Sequence, residues 1–537
     1  MQDMAIKKFS IEAAEAIIKN PSLDIEALKN SLGAKYKIST IKNALILASL
    51  PKKFRTPLMV QKLKTRTTRT GSGVTPIALM PKPFPCPGKC TYCPTSMKET
   101  IDASGKKKLT MTAPKSYTGF EPATMRAIQN KFDAKKQILM RLSQYEALGQ
   151  PSEKCELIIM GGTFLAIPKN YADKFILQCF NALNKKNSPS LPIAQKLNEK
   201  SAHRAIGLTI ETRPDWCKQF HIDRMLAYGA TRVELGVQSL DEKVLKKVKR
   251  GHDVSETIRA TRELKDAGFK VCYHFMPGLY SSYKKDVKML RELFSNPDFC
   301  PDMLKIYPCL VMEGTPLHEE YLRGEFTPIT SEEAVRRISI ASKYFPPWVR
   351  IMRMQRDIPA HKITAGVKHG NLHQMASASL AKKGKTLGDI RSREIFSMQR
   401  DGKTQAQKPN FRQYCQKYRA SGGMEYFLSF EDKKQKLLAG FLRLRLPGNS
   451  HRKEITPSTA IVRELHVYGS EIEIGKKASS SSSQHSGFGK ALLERAEKIA
   501  KANKKNKMII ISGVGTREYY RKTGYSLEGP YMAKKLN

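Results

Sequence analysis

Three cysteines stand together in the stretch FPCPGKCTYCPT: Cys86, Cys90 and Cys93, spaced C-x3-C-x2-C. A structural zinc site takes four cysteine or histidine ligands. No fourth is near in sequence, since the first histidine is His203 and the next cysteine is Cys155. Three thiolates on one short loop suit a four-iron cluster with one iron left open. That open position lets a cofactor or substrate bind metal directly, and a fourth thiolate would close it. Pro85, Pro87 and Gly88 shape the loop so that the sulfurs converge. The other seven cysteines are scattered singly, as small buried apolar residues are. Nothing here reads as a disulfide framework.

A second cluster of chemistry lies near the C-terminus. Gly487, Phe488 and Gly489 open an amphipathic stretch, GKALLERAEKIAKAN. Glycines at a helix N-terminus let backbone N–H groups approach a pyrophosphate, which the helix dipole also favours. A strand precedes this segment, the strand KMIIISGVG follows it, and then comes EYYRKTGY. The arrangement resembles motif A of acetyltransferases that use acetyl-CoA, the GNAT superfamily. That resemblance implies a tyrosine within reach of the leaving thiol, Tyr520 first and Tyr519 second.

Elements must position both clusters. Residues 1–50 read as three helices: SIEAAEAIIKN, then PSLDIEALKNSLG with Gly33 as C-cap, then STIKNALILASLP. From about residue 75 to 360, strands alternate with amphipathic helices. The strands lie at 155–164, 205–215, 232–239, 270–279 and 303–311, and this alternation predicts a parallel sheet, open or curved into a barrel. In barrels, polar residues at the C-terminal strand ends line the site. Here those are Gly161, Gly162, Glu211, Arg213, Gln238 and Pro277, each of which could equally serve a turn or the core. The chain then reads as irregular and rich in glycine and lysine to about 422. A hairpin over 425–447 and a strand over 460–469 follow, and the serine run 478–483 reads as a mobile loop. The expected organisation is a basic helical module (1–74), a partial (β/α) barrel (75–360), a basic linker (361–422) and an acetyltransferase-like α/β domain (423–537).

Charge points to the partner. Lys+Arg 94 against Asp+Glu 49 leaves +45 over 537 residues. The excess is clustered: residues 51–70 carry seven Lys/Arg and no acid, and residues 381–420 carry eleven against three. Self-repulsion on that scale is relieved by a polyanion, so nucleic acid is the expected partner. No run of 18 apolar residues is present and the N-terminus lacks the apolar core of a secretory signal. The expectation is a cytoplasmic protein that does not enter membranes.

The spacing in CPGKCTYC is that of the radical S-adenosylmethionine (SAM) superfamily. Joined to a GNAT-like domain, it resembles one family, the catalytic subunit of Elongator and its stand-alone relatives. SYTGFEPATMRAI (116–128), MGGTF, GLTIETRPD, ELGVQS, GVKHGNLHQ (366–374), RELHVYGS (463–470), SGVGTREYYRKTGY (512–525) and EGPYM (528–532) all carry that resemblance. It implies a [4Fe-4S] cluster on Cys86, Cys90 and Cys93, with SAM on the open iron as the source of a 5′-deoxyadenosyl radical. The implied reaction takes a hydrogen from the acetyl-CoA methyl group, adds the acetyl radical to C5 of the tRNA wobble uridine, and hydrolyses the thioester. Uridine C5 is too poor a nucleophile for ordinary acyl transfer.

The resemblance also implies that Lys154 contacts acetyl-CoA. It places Glu464, Leu465, His466 and Val467 along the thiol arm, and Gly487, Phe488 and Gly489 on the pyrophosphate, with Lys490 adding charge. The implied partners are the tRNA anticodon stem-loop and an external electron donor; a homodimer and accessory subunits stay open. Many relatives carry linker cysteines that bind zinc. Here the stretch is LGDIRSREI, with Gly388, Asp389 and Ser392, so no structural zinc is expected.

Two rivals remain at this point. A protein lysine acetyltransferase working through the C-terminal domain alone would be indifferent to Cys90→Ser. A tRNA-binding scaffold with decayed sites would bind tRNA without cleaving SAM.

Overall fold

A computed structural model of the chain describes residues 2–38, 41, 43–54, 56, 59, 62–63, 73–101, 107–395, 409–468 and 487–537. Two seven-stranded sheets organise it. The first is wholly parallel and runs in chain order: β1 (Val74–Leu79), β4 (Lys154–Ile159), β5 (Arg204–Thr212), β6 (Arg232–Gln238), β7 (Lys270–Phe275), β8 (Met303–Ile306) and β9 (Arg350–Met354). Sequential order with helical crossovers gives the partial barrel expected of a radical SAM fold. A hairpin of β2 (Met97–Ile101) and β3 (Lys107–Met111) follows the cysteine loop.

Sequence reading located five of these seven strands and missed the two at the sheet's ends. β1 carries Pro76, which lacks the N–H a central strand needs but is tolerated at an edge. β9, RIMRM, carries two arginines in five residues and so lacks the apolar run that marked the others. β4 shows the two faces of the sheet most plainly. In β4, Cys155, Leu157 and Ile159 are buried among the helices, while Lys154, Glu156 and Ile158 face the other way. Charged residues from different strands meet across the sheet: Arg232 of β6 reaches past β5 to Glu156 of β4 at 2.6 Å, and Glu234 pairs with His274 on the neighbouring β7 at 2.8 Å and with Lys305 of β8.

The second sheet has the order β10 (Arg412–Ala420), β11 (Gly423–Asp432), β12 (Leu437–Leu446), β13 (Thr459–Val467), β14 (Lys507–Ile510), β16 (Tyr531–Lys535), β15 (Ser526–Glu528). Only β13 and β14 pair in parallel. The hairpin expected over 425–447 is β11–β12.

Two expectations need correction. The stretch 361–422 is not irregular throughout: it holds helix Leu372–Ala381 and strand β10. β10 was missed because it is an exposed edge strand without an apolar period. Gly33 does not cap the second helix. That helix runs Ile25–Tyr36, starts on Asp24, whose carboxylate takes the N–H groups of Glu26 and Ala27, and ends on Lys37 in the left-handed region. Gly33 sits inside it because an added Cβ would come within 2.8 Å of the Ile38 carbonyl oxygen. Most of the basic tract 51–70 and all of the serine run 478–483 lie outside the described residues. Among the described residues no helix is long and apolar enough to cross a membrane.

The two sheets are locked together by buried charge. Arg463 of β13 donates to both oxygens of Asp302 at 2.6 and 2.7 Å, to Glu425 at 2.9 Å and to the Phe269 carbonyl at 2.8 Å. Arg445 joins Asp266 at 2.6 Å and Glu425 at 2.9 Å, and Arg443 joins Glu464 at 2.9 Å. Lys265 completes the set beside Asp302 at 4.0 Å. Four cations face four carboxylates, so the network is neutral, which is what makes burial tolerable. Arg463 reaches it because β13 bulges there: Glu464 opposes Arg443, and Val462, not Arg463, opposes Leu444.

Candidate active site

The cysteine loop leaves β1 and closes over the C-terminal ends of the first sheet. Thr91 N–H bonds to the Val248 carbonyl and Leu317 N–H to the Thr91 carbonyl, which ties the loop to two flanking segments. Cys86, Cys90 and Cys93 line a cavity of about 170 Å³ with Gly162, Glu211, Arg213 and Gln238. Four of the six strand-end residues named from sequence thus come together there. Gly161 serves the site indirectly. Its N–H and that of Gly162 donate to Glu211 Oε2 at 3.2 and 3.4 Å, and Tyr117 donates to the same oxygen at 2.6 Å. Pro277 is a turn residue: its carbonyl takes the Cys309 N–H.

Arg213 and Arg250 set the field at the thiols. Arg213 is held by Asp215 through two bonds of 2.9 Å and donates to the Arg250 carbonyl at 2.7 Å. Arg250 Nη1 donates to Cys90 Sγ at 3.4 Å. Burial opposes ionisation of Cys90, yet Arg250 and Arg213 outweigh it and hold this thiol below the usual range. At Cys93, burial and the neighbouring Cys90 outweigh Ser116, Lys115 and Arg356 and push the thiol up to about 11. Arg250 was not foreseen; it sits in the loop KRGHD after a helix, with no strand end to mark it.

The donor set fits an iron–sulfur cluster better than a single ion. Among the described residues, the group whose donor atoms all lie within 4.8 Å of one another is Glu234, Cys272 and His274. That group is itself no metal site. Lys305 and His274 already occupy Glu234, and burial pushes the Cys272 thiol far above its usual range. Around the loop, Arg213 Nη1, Arg250 Nε and Gln238 Oε1 are buried with no hydrogen-bond partner, and Gln238 holds a left-handed backbone at φ 70°. Orphaned polar atoms and backbone strain concentrated in one cavity are what a polar ligand site leaves.

Gly88 is needed for packing. An added Cβ would fall 1.9 Å from Arg213 Nη1. Gly88→Ala is expected to push the loop off Arg213 and lose most of the iron after reconstitution, measured as the iron-to-protein ratio. Unchanged iron content would refute that geometry.

The second site forms where β13 and β14 part. They pair only from Thr459–Lys507 to Val462–Ile510. Beyond that, Glu464–Val467 follow β12 alone, while the chain after β14 turns onto the first sheet. That turn lies flat: a Cβ on Gly513 would meet the Ile206 carbonyl oxygen at 2.0 Å, and one on Gly515 the Arg204 Cβ at 2.5 Å. Helix Phe488–Ala502 starts beside the freed strand end, with Gly487 at φ 79° as its N-cap and Val467 Cγ2 3.7 Å from a Cβ built on Gly489. Glu464, Leu465, His466, Val467, Gly487 and Gly489 are therefore brought together.

The remaining candidates sit less centrally. The Phe488 ring stacks on Phe430 at 4.4 Å, leaving only its backbone for a ligand. Lys490 is exposed and 3.8 Å from Glu494. Tyr520 is buried in the core beside Leu492 and Tyr525, and burial pushes its hydroxyl far up. Tyr519 is 43% exposed, and its hydroxyl lies 2.8 Å from where a Gly489 Cβ would sit. Lys154 pairs in register with Arg204, at the end of the first sheet that meets Gly515. It is a strand length from the cysteines, roughly 20 Å at about 3.3 Å per residue.

Gly489→Ala is expected to weaken coenzyme A binding about tenfold, because the new methyl forces Tyr519 over the helix N-terminus; Tyr519→Phe in the same chain should restore part of it. Calorimetric titration checks both, and equal affinities would refute the close approach.

Comparison with known proteins defines the class. The model described as the Radical SAM superfamily matches residues 85–294 and the Radical_SAM C-terminal domain matches 301–382. The chain carries a radical SAM half-barrel, and its second sheet is consistent with an acetyltransferase-like domain. It is 48% identical over 482 residues to the tRNA uridine(34) acetyltransferase of Methanocaldococcus infernus, covering 89% of each chain. It is 40% identical over 543 residues to Elongator complex protein 3 of Danio rerio, covering 99% of this chain and 97% of that one. A solved structure of the archaeal Methanocaldococcus infernus Elp3, lacking its first 46 residues, superposes with a TM-score of 0.75 at 45% identity, over 87% of this chain and all of that one. The chain belongs to this family of tRNA uridine(34) acetyltransferases and Elongator complex protein 3.

Proposed function

We propose that this enzyme builds a carboxymethyl-type group on C5 of the wobble uridine of tRNA, with acetyl-CoA as the two-carbon donor. One observation carries the reading: a three-thiol cavity and a splayed strand pair are held on one body by the buried Asp302–Arg463 network. A plain acetyltransferase has no use for the first, and a plain radical enzyme has none for the second.

When bound to Cys86, Cys90 and Cys93, the [4Fe-4S] cluster supplies the electron that turns SAM into a hydrogen-abstracting radical. Arg250 and Arg213 hold the thiolate at Cys90, and Glu211 fixes the Gly161–Gly162 turn that borders the cavity. The N–H groups of Gly487, Phe488 and Gly489 receive the coenzyme A pyrophosphate, and exposed Lys490 adds charge. The backbone of Glu464, Leu465, His466 and Val467 lines the thiol arm. Lys154 contacts acetyl-CoA from the first sheet, and the pantetheine arm carries the acetyl group onward along the strand length to the cavity. The acetyl methyl loses a hydrogen atom and its carbon bonds uridine C5; the adduct then gives up the C5 proton and one electron, which a bound cluster would take back, and water hydrolyses the thioester to a carboxylate and protonated coenzyme A. Tyr520, which burial keeps protonated, is the proposed hydrogen-bond donor to the leaving sulfur. Lys115, Arg353 and Arg356 at the cavity and the net +45 favour tRNA, so binding weakens steeply with salt.

The test is anaerobic reconstitution with SAM, reductant, acetyl-CoA and tRNA, followed by mass spectrometry of the digested tRNA. Carboxymethylated uridine is expected. Unmodified tRNA alongside acetylated protein lysines, unaffected by Cys90→Ser, would favour the acetyltransferase alternative.

A further inference from the structure

We propose that Phe120, capped by Lys362, is a stacking platform for an unpaired RNA base that flanks the base entering the cavity. This rests on the reading that the chain acts on tRNA. Phe120 belongs to the SYTGFEPATMRAI motif and is 42% exposed, which no core role explains. It lies directly before Glu121, Pro122 and Ala123, which line the cavity, and so stands at its mouth.

The turn beneath it is rigid. Buried Glu121 takes the Thr118 N–H at 2.9 Å and the Thr124 hydroxyl at 3.0 Å, and Thr118 Oγ1 takes the Phe120 N–H at 3.3 Å. An exposed ring on a fixed turn is pre-organised for a flat partner. Lys362 Nζ stands 4.1 Å over the ring, and the His361 ring lies edge-on at 6.4 Å. Lys115 and Arg356 line the adjoining wall. An aromatic face bordered by cations is the arrangement that binds single-stranded nucleic acid, bases on the ring and phosphates on the cations. A base extruded into a pocket also leaves its neighbour unstacked and in need of a surface.

The experiment uses the full chain and two anticodon stem-loop RNAs, with 2-aminopurine on the 5′ or the 3′ side of the wobble uridine. Binding is expected to quench the fluorescence of one label. Phe120→Leu should abolish that quench and weaken binding about tenfold, whereas Phe120→Tyr should keep both. Lys362→Gln should weaken binding and leave the quench. Circular dichroism confirms that each variant is folded. Tight binding by wild type with the same quench in Phe120→Leu would overturn the platform alone. No binding by wild type at low salt would overturn the tRNA reading, and the platform with it.

Discussion

Cys90→Ser, reconstituted without oxygen, is expected to lower SAM cleavage by at least about a thousandfold, some 4 kcal/mol of transition-state free energy. Of the three thiols, Cys90 is the one that Arg250 and Arg213 hold below the usual range. A serine there presents a neutral hydroxyl to iron and leaves Arg250 without its sulfur partner. The side chain is small and sits in a minor cluster with Tyr92, Val244 and Val248, so the fold should survive. Three readings check this: iron per chain, 5′-deoxyadenosine released, and coenzyme A affinity. The first two should collapse and the third should hardly move, because the pyrophosphate end of the coenzyme A site is built on the other sheet and Lys154 stands a strand length from Cys90. Full SAM cleavage by the variant would remove the cluster assignment.

Asp302→Ala is expected to cost about 3–5 kcal/mol of stability, the usual result of stripping one partner from a buried charge network. Arg463 would keep Glu425 but lose two bonds of 2.6 and 2.7 Å, and Lys265 would lose its neighbouring carboxylate. The midpoint of urea unfolding should fall, and Arg463→Met added to Asp302→Ala should recover part of it by removing the stranded charge. Burial alone would raise the Asp302 pKa, but Arg463 and Lys265 hold it far below the carboxylate range. Its folded value is thus depressed. The stability it contributes is in place above the unfolded value of about 3.9, and it is lost as pH falls toward the folded value. Asp302→Ala should therefore unfold with a shallower dependence on acid than wild type. An unchanged urea midpoint would mean that the two sheets are held by apolar contacts alone.

What could be read from sequence follows from how local each feature is. The cysteine loop and the glycines at 487 and 489 announce themselves because their ligand chemistry is written within a few residues. The inner strands β4 to β8 were visible as apolar runs. β1 and β9 were not, since Pro76 and the charged residues of RIMRM look unlike a buried strand until the sheet's edge and its second face are known. The pairing of Glu234 with His274 and Lys305 was hidden for the same reason: single charges in a strand read as surface, and only the curved sheet turns them toward one another. The Arg463 network joins residues from 265 to 464 through a bulge, a relation that no local pattern encodes. The motif resemblance ranked Tyr520 before Tyr519, but it could not show how deeply either is buried. The structure separates them, one into the core and one to the helix N-terminus at Gly489.

The central claim is that the radical half acts on the acetyl group held by the other half. The direct measurement supplies acetyl-CoA deuterated on its methyl group to the reconstituted enzyme with SAM, reductant and tRNA, and weighs the 5′-deoxyadenosine released. One deuterium is expected in 5′-deoxyadenosine, dependent on tRNA, with two retained in the carboxymethyl carbon of the uridine. Modified uridine that keeps the label while 5′-deoxyadenosine carries none would contradict it.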